Sequence, residues 1–222
     1  MDTVAFYTGA GIFFATALAL AVTSAVRFRD NYDALLLVFI TTVAATCYLA
    51  MAQGLGQAGN VQVVRYLDWV ITTPLLLYTL VTLLVPSLPT SILLVAVLFI
   101  DVYMIVTGLV AALEPGDARW GWFALSGLAL VVLTALLFGP IYKYARRSKM
   151  LGSYRMLATY LVAIWFVYPV VWILSPVGVG VISSDLETVL YLVLDVLAKS
   201  VFSVLVLTAL VKANRLRRGA RA

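Results

Sequence analysis

Long apolar runs alternate with short polar breaks along this chain, and that alternation constrains the fold more than any single residue does. Breaks at RFRDNYD, GLGQAGN, VPSLPTS, LEPGDAR, KYARRSKMLGS and SPVGVGVISSD leave seven apolar segments, approximately 3–26, 31–53, 63–84, 89–112, 119–141, 154–174 and 186–211. A hydrocarbon core about 30 Å thick is crossed by about 20 apolar residues in a helix, and lipid satisfies no backbone polar group, so each segment is expected to be a membrane-crossing α-helix. The expected fold is an all-α seven-transmembrane-helix bundle forming a single domain over 1–222, because the breaks are too short to hold another folded unit. A composition of 64% hydrophobic and 11% charged residues suits a multi-pass protein of the cell membrane. The opening MDTVAF carries no basic stretch, so the first run reads as a retained helix; the small residues AVTSA are the one feature it shares with a cleaved leader.

Charge gives the orientation. Arg27 and Arg29 lie in the first break, Lys143, Arg146, Arg147, Lys149 and Arg155 in or beside the fifth, and Lys212, Arg215, Arg217, Arg218 and Arg221 in the tail. All three regions fall on one side of a seven-span bundle, so the positive-inside rule places the N-terminus outside and the C-terminus in the cytoplasm. The net charge of +5 is then a topology signal whose partner is anionic membrane lipid, with no nucleic acid required. The chain has no histidine and one cysteine, Cys47, which excludes histidine-metal sites, Ser-His-Asp triads and an intramolecular disulfide. No metal site and no ordinary enzyme chemistry is expected.

Four ionisable residues, Asp68, Asp101, Asp195 and Lys199, lie well inside apolar segments, and Arg65 lies near one end of the third. A charge at mid-membrane costs roughly 2.5–3.5 kcal/mol on insertion scales, so each is a candidate functional residue. Arg65, Asp68, Trp69, Thr72, Leu76 and Thr79 recur at helical spacing and share one face; Glu187, Tyr191, Asp195 and Lys199 follow at steps of four on the seventh segment. Two such stripes facing each other would set Lys199 and Arg65 against Asp68 and Asp195 with no net charge. The same residues could equally be two structural i,i+4-type ion pairs, Asp195 with Lys199 and Arg65 with Asp68. Aromatic residues Tyr48, Trp69, Phe123, Trp165, Tyr168 and Trp172 add flat walls, with Pro169 expected to kink the sixth helix and open space. Ordinary core packing explains an aromatic stripe taken alone, whereas an apolar slot ending at a lysine also suits a long conjugated aldehyde held as a Schiff base.

Three stretches, RYLDWVITTPLLL (65–77), WFVYPVVW (165–172) and LDVLAK (194–199), together resemble the microbial (type 1) rhodopsins, and the resemblance runs from the first span to Leu210. It implies all-trans retinal bound covalently to Lys199 as a protonated Schiff base. Asp68 would be counterion and proton acceptor, Asp195 the second counterion, and Arg65 the residue fixing waters on the outer side. Trp69, Thr73, Leu76, Met104, Phe123, Ser126, Trp165, Tyr168 and Pro169 would line the chromophore, Tyr48 would bond near Asp195, and Thr72 would bond and tune Asp68. Asp101 would be a neutral acid bonded to Thr73. Glu187 resembles half of an outer proton-release pair whose usual partner position is Val177 here, so release that is late or that uses water alone is expected.

Within this resemblance the expected function is a light-driven outward proton pump. At the position eleven residues after the acceptor, where vigorous pumps carry a carboxylic donor, stands Thr79, which implies a slow photocycle. The alternative is a phototaxis sensory photoreceptor acting through a separate membrane transducer. Tyr78 and the SPVGVG loop resemble the sensors, while Ala198 and Val193 depart from their signalling residues. Homo-oligomers, commonly trimers, also go with the resemblance.

Overall fold

The computed structural model describes residues 2–28, 32–55, 61–86, 88 and 92–219. Among these residues there are seven helices long and apolar enough to cross a membrane: α1 (Thr3–Arg27), α2 (Tyr32–Ala52), α3 (Val61–Leu84), α4 (Ile92–Leu113), α5 (Ala118–Ala145), α6 (Leu151–Leu174) and α7 (Ser184–Ala213). The expected segments agree to within a few residues, with two informative exceptions. The fifth helix runs on to Ala145 and the sixth starts at Leu151, so both ends of the fifth polar break are helical and only 146–150 form the turn. The expected start of the fourth span at 89, together with Arg29 and Arg221, lies outside the described residues.

Consecutive helices pack against one another, α5 and α6 through the stacked Phe123 and Trp172 rings and the Tyr154–Leu137 hydrogen bond, and α7 closes the ring onto α1, with α3 also touching α6 across the interior. The core is a continuous apolar cluster contributed mainly by α2 to α7, with Leu20 from α1, while a smaller cluster of Phe6, Phe13, Ala44, Tyr48, Met51 and Leu192 seals α1 to α2 and α7. Large apolar side chains such as Phe14, Leu18, Phe39, Val95 and Phe99 point outward. In water such exposure would be a liability; in a bilayer it is the lipid-facing surface.

Local chemistry fixes the phase of the site-bearing helices. Ser183 caps α7, its hydroxyl accepting from the Leu186 backbone N–H at 3.3 Å, and so sets the turn on which Glu187 begins the stripe of four-residue steps. On α6, Pro169 has no N–H to offer the carbonyl of Trp165, and the α-helix divides there into Leu151–Trp165 and Val167–Leu174. On α7 the segment Val196–Val201, which contains Lys199, is π-helical. An added residue in a turn re-aims the side chains around it, and such bulges recur at functional sites.

Candidate functional site

α3 and α7 meet at mid-bundle through their charges. Lys199 Nζ forms an ion pair with Asp68 Oδ2 and a second with Asp195 Oδ1 at 3.2 Å, with all three residues essentially fully buried. The two expected stripes therefore do face each other. Arg65 does not pair with Asp68: its Nη1 donates to Gln62 Oε1 at 3.0 Å and lies 3.4 Å from Glu187 Oε1, and its guanidinium stands 4.6 Å from the centre of the Tyr191 ring. Gln62 Nε2 completes this cluster by donating to Glu187 Oε1 at 2.9 Å. The balanced set of two cations and two carboxylates is thus corrected: Glu187 is only 5% exposed and joins it, giving two cations and three carboxylates.

The two aspartates beside Lys199 differ in their partners. Asp195 Oδ1 accepts from Trp69 Nε1 at 3.1 Å and from the Tyr168 hydroxyl at 2.8 Å, and Oδ2 accepts from the Tyr48 hydroxyl at 2.8 Å. With Lys199 that makes four donors, about the full acceptor capacity of a carboxylate. Asp68 has Lys199 on Oδ2 and, on Oδ1, only the Thr72 hydroxyl at 3.5 Å, whose main bond goes to the Asp68 carbonyl at 2.8 Å. Capacity for a further proton or donor therefore lies on Asp68.

From Lys199 a cleft of about 750 Å³, part of it open to the outside, extends among α3, α4, α5, α6 and α7. Trp69, Thr73 and Leu76 line it from α3, Met104 from α4, Phe123 and Ser126 from α5, and Trp165, Tyr168 and Pro169 from α6, as expected from the sequence. Tyr48 is not on its wall; it stands behind Asp195, where helix α2 brings only the hydroxyl to the site. Trp172 stacks on Phe123 with ring centres 4.4 Å apart, and Tyr66, Gly108 and Tyr191 are also among the lining residues. Gly108 lets Tyr66 and Ser126 approach, since a Cβ there would lie 3.0 Å from Tyr66 Cε1 and 3.2 Å from Ser126 Oγ.

Two expected residues stand apart. Asp101 is fully buried and its Oδ2 accepts from the Thr73 hydroxyl at 2.8 Å, while Oδ1 has no partner among the described residues. Thr79 donates back to the Leu75 carbonyl at 2.8 Å and touches neither aspartate of the site. Gln62, which the sequence analysis passed over, sits at the first turn of α3 one turn before Arg65; its i,i+3 spacing to that arginine was the available signal.

The sequence profile of bacteriorhodopsin-like proteins matches residues 1–213. The chain is 39% identical over 183 residues to bacteriorhodopsin of Haloterrigena sp. (strain arg-4), covering 77% of this chain and 72% of that one. It is 34% identical over 190 residues to sensory rhodopsin-2 of Haloarcula vallismortis, covering 82% and 78%. Among solved structures it matches the light-driven proton pump rhodopsin of Coccomyxa subellipsoidea with a TM-score of 0.83 and 34% identity, over 92% of this chain and 95% of that one. Cyanorhodopsin from the cyanobacterium Calothrix sp. matches with a TM-score of 0.88 and 31% identity, over 94% of each. Seven apolar helices and these relatives make this a multi-pass protein of the plasma membrane. A profile match through all seven helices, set on a buried lysine with two aspartates, shows that the chain belongs to the bacteriorhodopsin-like family of retinal-binding microbial rhodopsins.

Proposed function

We propose that this protein is a light-driven, outward-directed proton translocator with a slow cycle, carrying all-trans retinal on Lys199. The observation that carries the proposal is the unequal pair of aspartates at that lysine: Asp195 saturated with donors, Asp68 not. Retinal bound there as a Schiff base would supply the absorption of light and, by isomerising, the displacement of the proton-bearing nitrogen. The residues present fit it. The nitrogen of Lys199 already holds a positive charge between two carboxylates, and the aromatic cleft beside it accepts a long apolar polyene. Asp195, fixed by Tyr48, Trp69 and Tyr168, balances that charge without moving. Asp68 receives the proton from the Lys199 nitrogen at an oxygen with spare capacity, and Thr72 can then serve the carboxyl group that results.

Direction comes from what lies on either side. Arg65, Gln62 and Glu187 form a polar cluster toward the N-terminal ends of α3 and α7, the outer side by the positive-inside rule. Thr79 lies eleven residues along α3 in the other direction, about 16 Å at the helical rise, and carries no acid to return the proton. A proton that leaves outward and is restored from within is net transport, and the missing donor makes the restoration slow. Glu187 bonds to Gln62 and Arg65 rather than to a second acid, which supports late release.

The identity shared with sensory rhodopsin-2 and the hydroxyl at Thr79 favour the second reading, a photoreceptor signalling through a membrane transducer. The test is the pH of an unbuffered suspension of cells expressing the protein with retinal, illuminated with and without a protonophore. Acidification in the light that the protonophore abolishes is expected. A coloured protein that produces no pH change would overturn the pump in favour of the receptor.

A further inference from the structure

Gly9 stands in the interior of α1, away from any turn, at a position where glycine costs about 1 kcal/mol relative to alanine in a helix. The cost has a local reason. A Cβ on Gly9 would strike the Tyr48 ring, coming within 2.7 Å of Cε1 and closer still to Cδ1, and would lie 2.8 Å from Leu192 Cδ1. The leucine methyl is the end of a flexible side chain and can swing away. The tyrosine ring cannot: Phe13 packs on it with ring centres 5.1 Å apart, Phe6 stands edge-on at 6.3 Å, and its hydroxyl is tied to Asp195 Oδ2 at 2.8 Å. Tyr48 itself is 1% exposed, so there is no solvent-facing space into which it could retreat.

We infer that Gly9 is a positioning residue for the light-absorbing site: by presenting bare backbone to the Tyr48 ring, α1 lets that tyrosine reach across from α2 and hold Asp195 beside Lys199. Helix α1 contributes no residue to the cleft wall; besides this contact it reaches the site through the Phe13 ring, its centre 5.8 Å from Lys199 Nζ, and through Thr16, whose hydroxyl donates to Ser200 Oγ at 3.1 Å. The inference rests on the proposal that Lys199 carries retinal with Asp195 as a counterion. Tyr48 removes part of the negative charge from the Asp195 oxygens by donating to them. Without that bond the carboxylate holds the positive charge at the Lys199 nitrogen more tightly. Absorption of light moves that charge away along the polyene, so the gap widens.

The experiment is the visible absorption band of the full-length protein reconstituted with all-trans retinal, recorded for the unaltered chain, Gly9→Ala, Tyr48→Phe and the double variant. A band in the unaltered protein that is missing in Lys199→Ala first establishes the retinal reading on its own. Gly9→Ala is then expected to shift the band to shorter wavelength, as Tyr48→Phe does, and to add no further shift in the Tyr48→Phe background, where there is no hydroxyl left to misplace. A band unmoved by Gly9→Ala, or a shift that adds in full to that of Tyr48→Phe, overturns the assignment while leaving the retinal reading intact. Should Gly9→Ala fail to give coloured protein, Tyr48→Ala in the same chain removes the ring atoms the new methyl strikes and is expected to restore colour. Continued loss would place the defect elsewhere in α1 and overturn the assignment as well.

Discussion

Asp68 and Asp195 flank the same lysine, yet their surroundings prepare them for different work. A proton added to Asp195 would have to displace one of the donors from Tyr48, Trp69, Tyr168 or Lys199, whereas Asp68 Oδ1 has only a long contact from Thr72. Asp68→Asn is therefore expected to abolish light-driven acidification and to move the absorption band to longer wavelength, because a negative charge beside the Lys199 nitrogen has been removed; transport at the unaltered rate in that variant would sink the acceptor role. Thr79→Asp places a carboxylic acid on the α3 face that carries Asp68, about 16 Å further along. Flash-induced absorbance changes should then recover faster, and an unchanged recovery would mean that the proton returns by another route. Asp68, Asp195 and Lys199 could be named from the sequence because charge inside an apolar run is conspicuous, whereas most of the cleft residues were named only through the family resemblance. Gln62 offered only its i,i+3 spacing to Arg65, and Gly9, one glycine among many, carries no signal until the partner helix is in place.

At the level of the helix, apolar runs between polar breaks located the seven spans but not their irregular turns. A count of apolar residues sees the same length whether a turn is α or π, so the π-helical stretches Leu137–Ile141 and Val196–Val201 were invisible to it. Pro140 lies within the first of these, where its missing N–H already interrupts the α ladder. The Leu137 carbonyl there accepts from the Tyr142 backbone N–H and also from the Tyr154 hydroxyl at 2.7 Å, tying α5 to the first turn of α6. Tyr154→Phe deletes one donor and leaves that carbonyl its backbone partner, so no buried acceptor is orphaned. The expected loss of stability is about 1 kcal/mol, the net worth of one hydrogen bond. Thermal bleaching of the retinal band in detergent should shift to lower temperature without a change in band position. A displaced band would show instead that this tie reaches the chromophore cleft.

Across the molecule, among the described residues, the buried charges lie in the middle and at one end of the bundle, and the basic residues of its surface, Arg119 apart, gather at the other. Arg27 ends α1, Lys143, Arg146, Arg147 and Lys149 lie at and just beyond the far end of α5, Arg155 follows on α6, and Lys212 closes α7. Anionic lipid on the cytoplasmic face, together with the cost of carrying many cations across a membrane, favours the orientation that leaves this end inside. In that proposed orientation the buried Arg65–Gln62–Glu187 cluster would lie toward the outer end and Thr79 toward the inner, so the direction of any net proton movement would follow from the same charges that set the topology. An epitope placed after Ala222 is accordingly expected to survive protease added to intact cells and to be digested once they are broken, while one placed before Met1 should be removed from intact cells. Digestion of the C-terminal epitope from outside would reverse the bundle in the membrane. Asp68 and its open oxygen would then face the cytoplasm, and the same photochemistry would drive protons inward, so this simple accessibility measurement decides the sign of the transport.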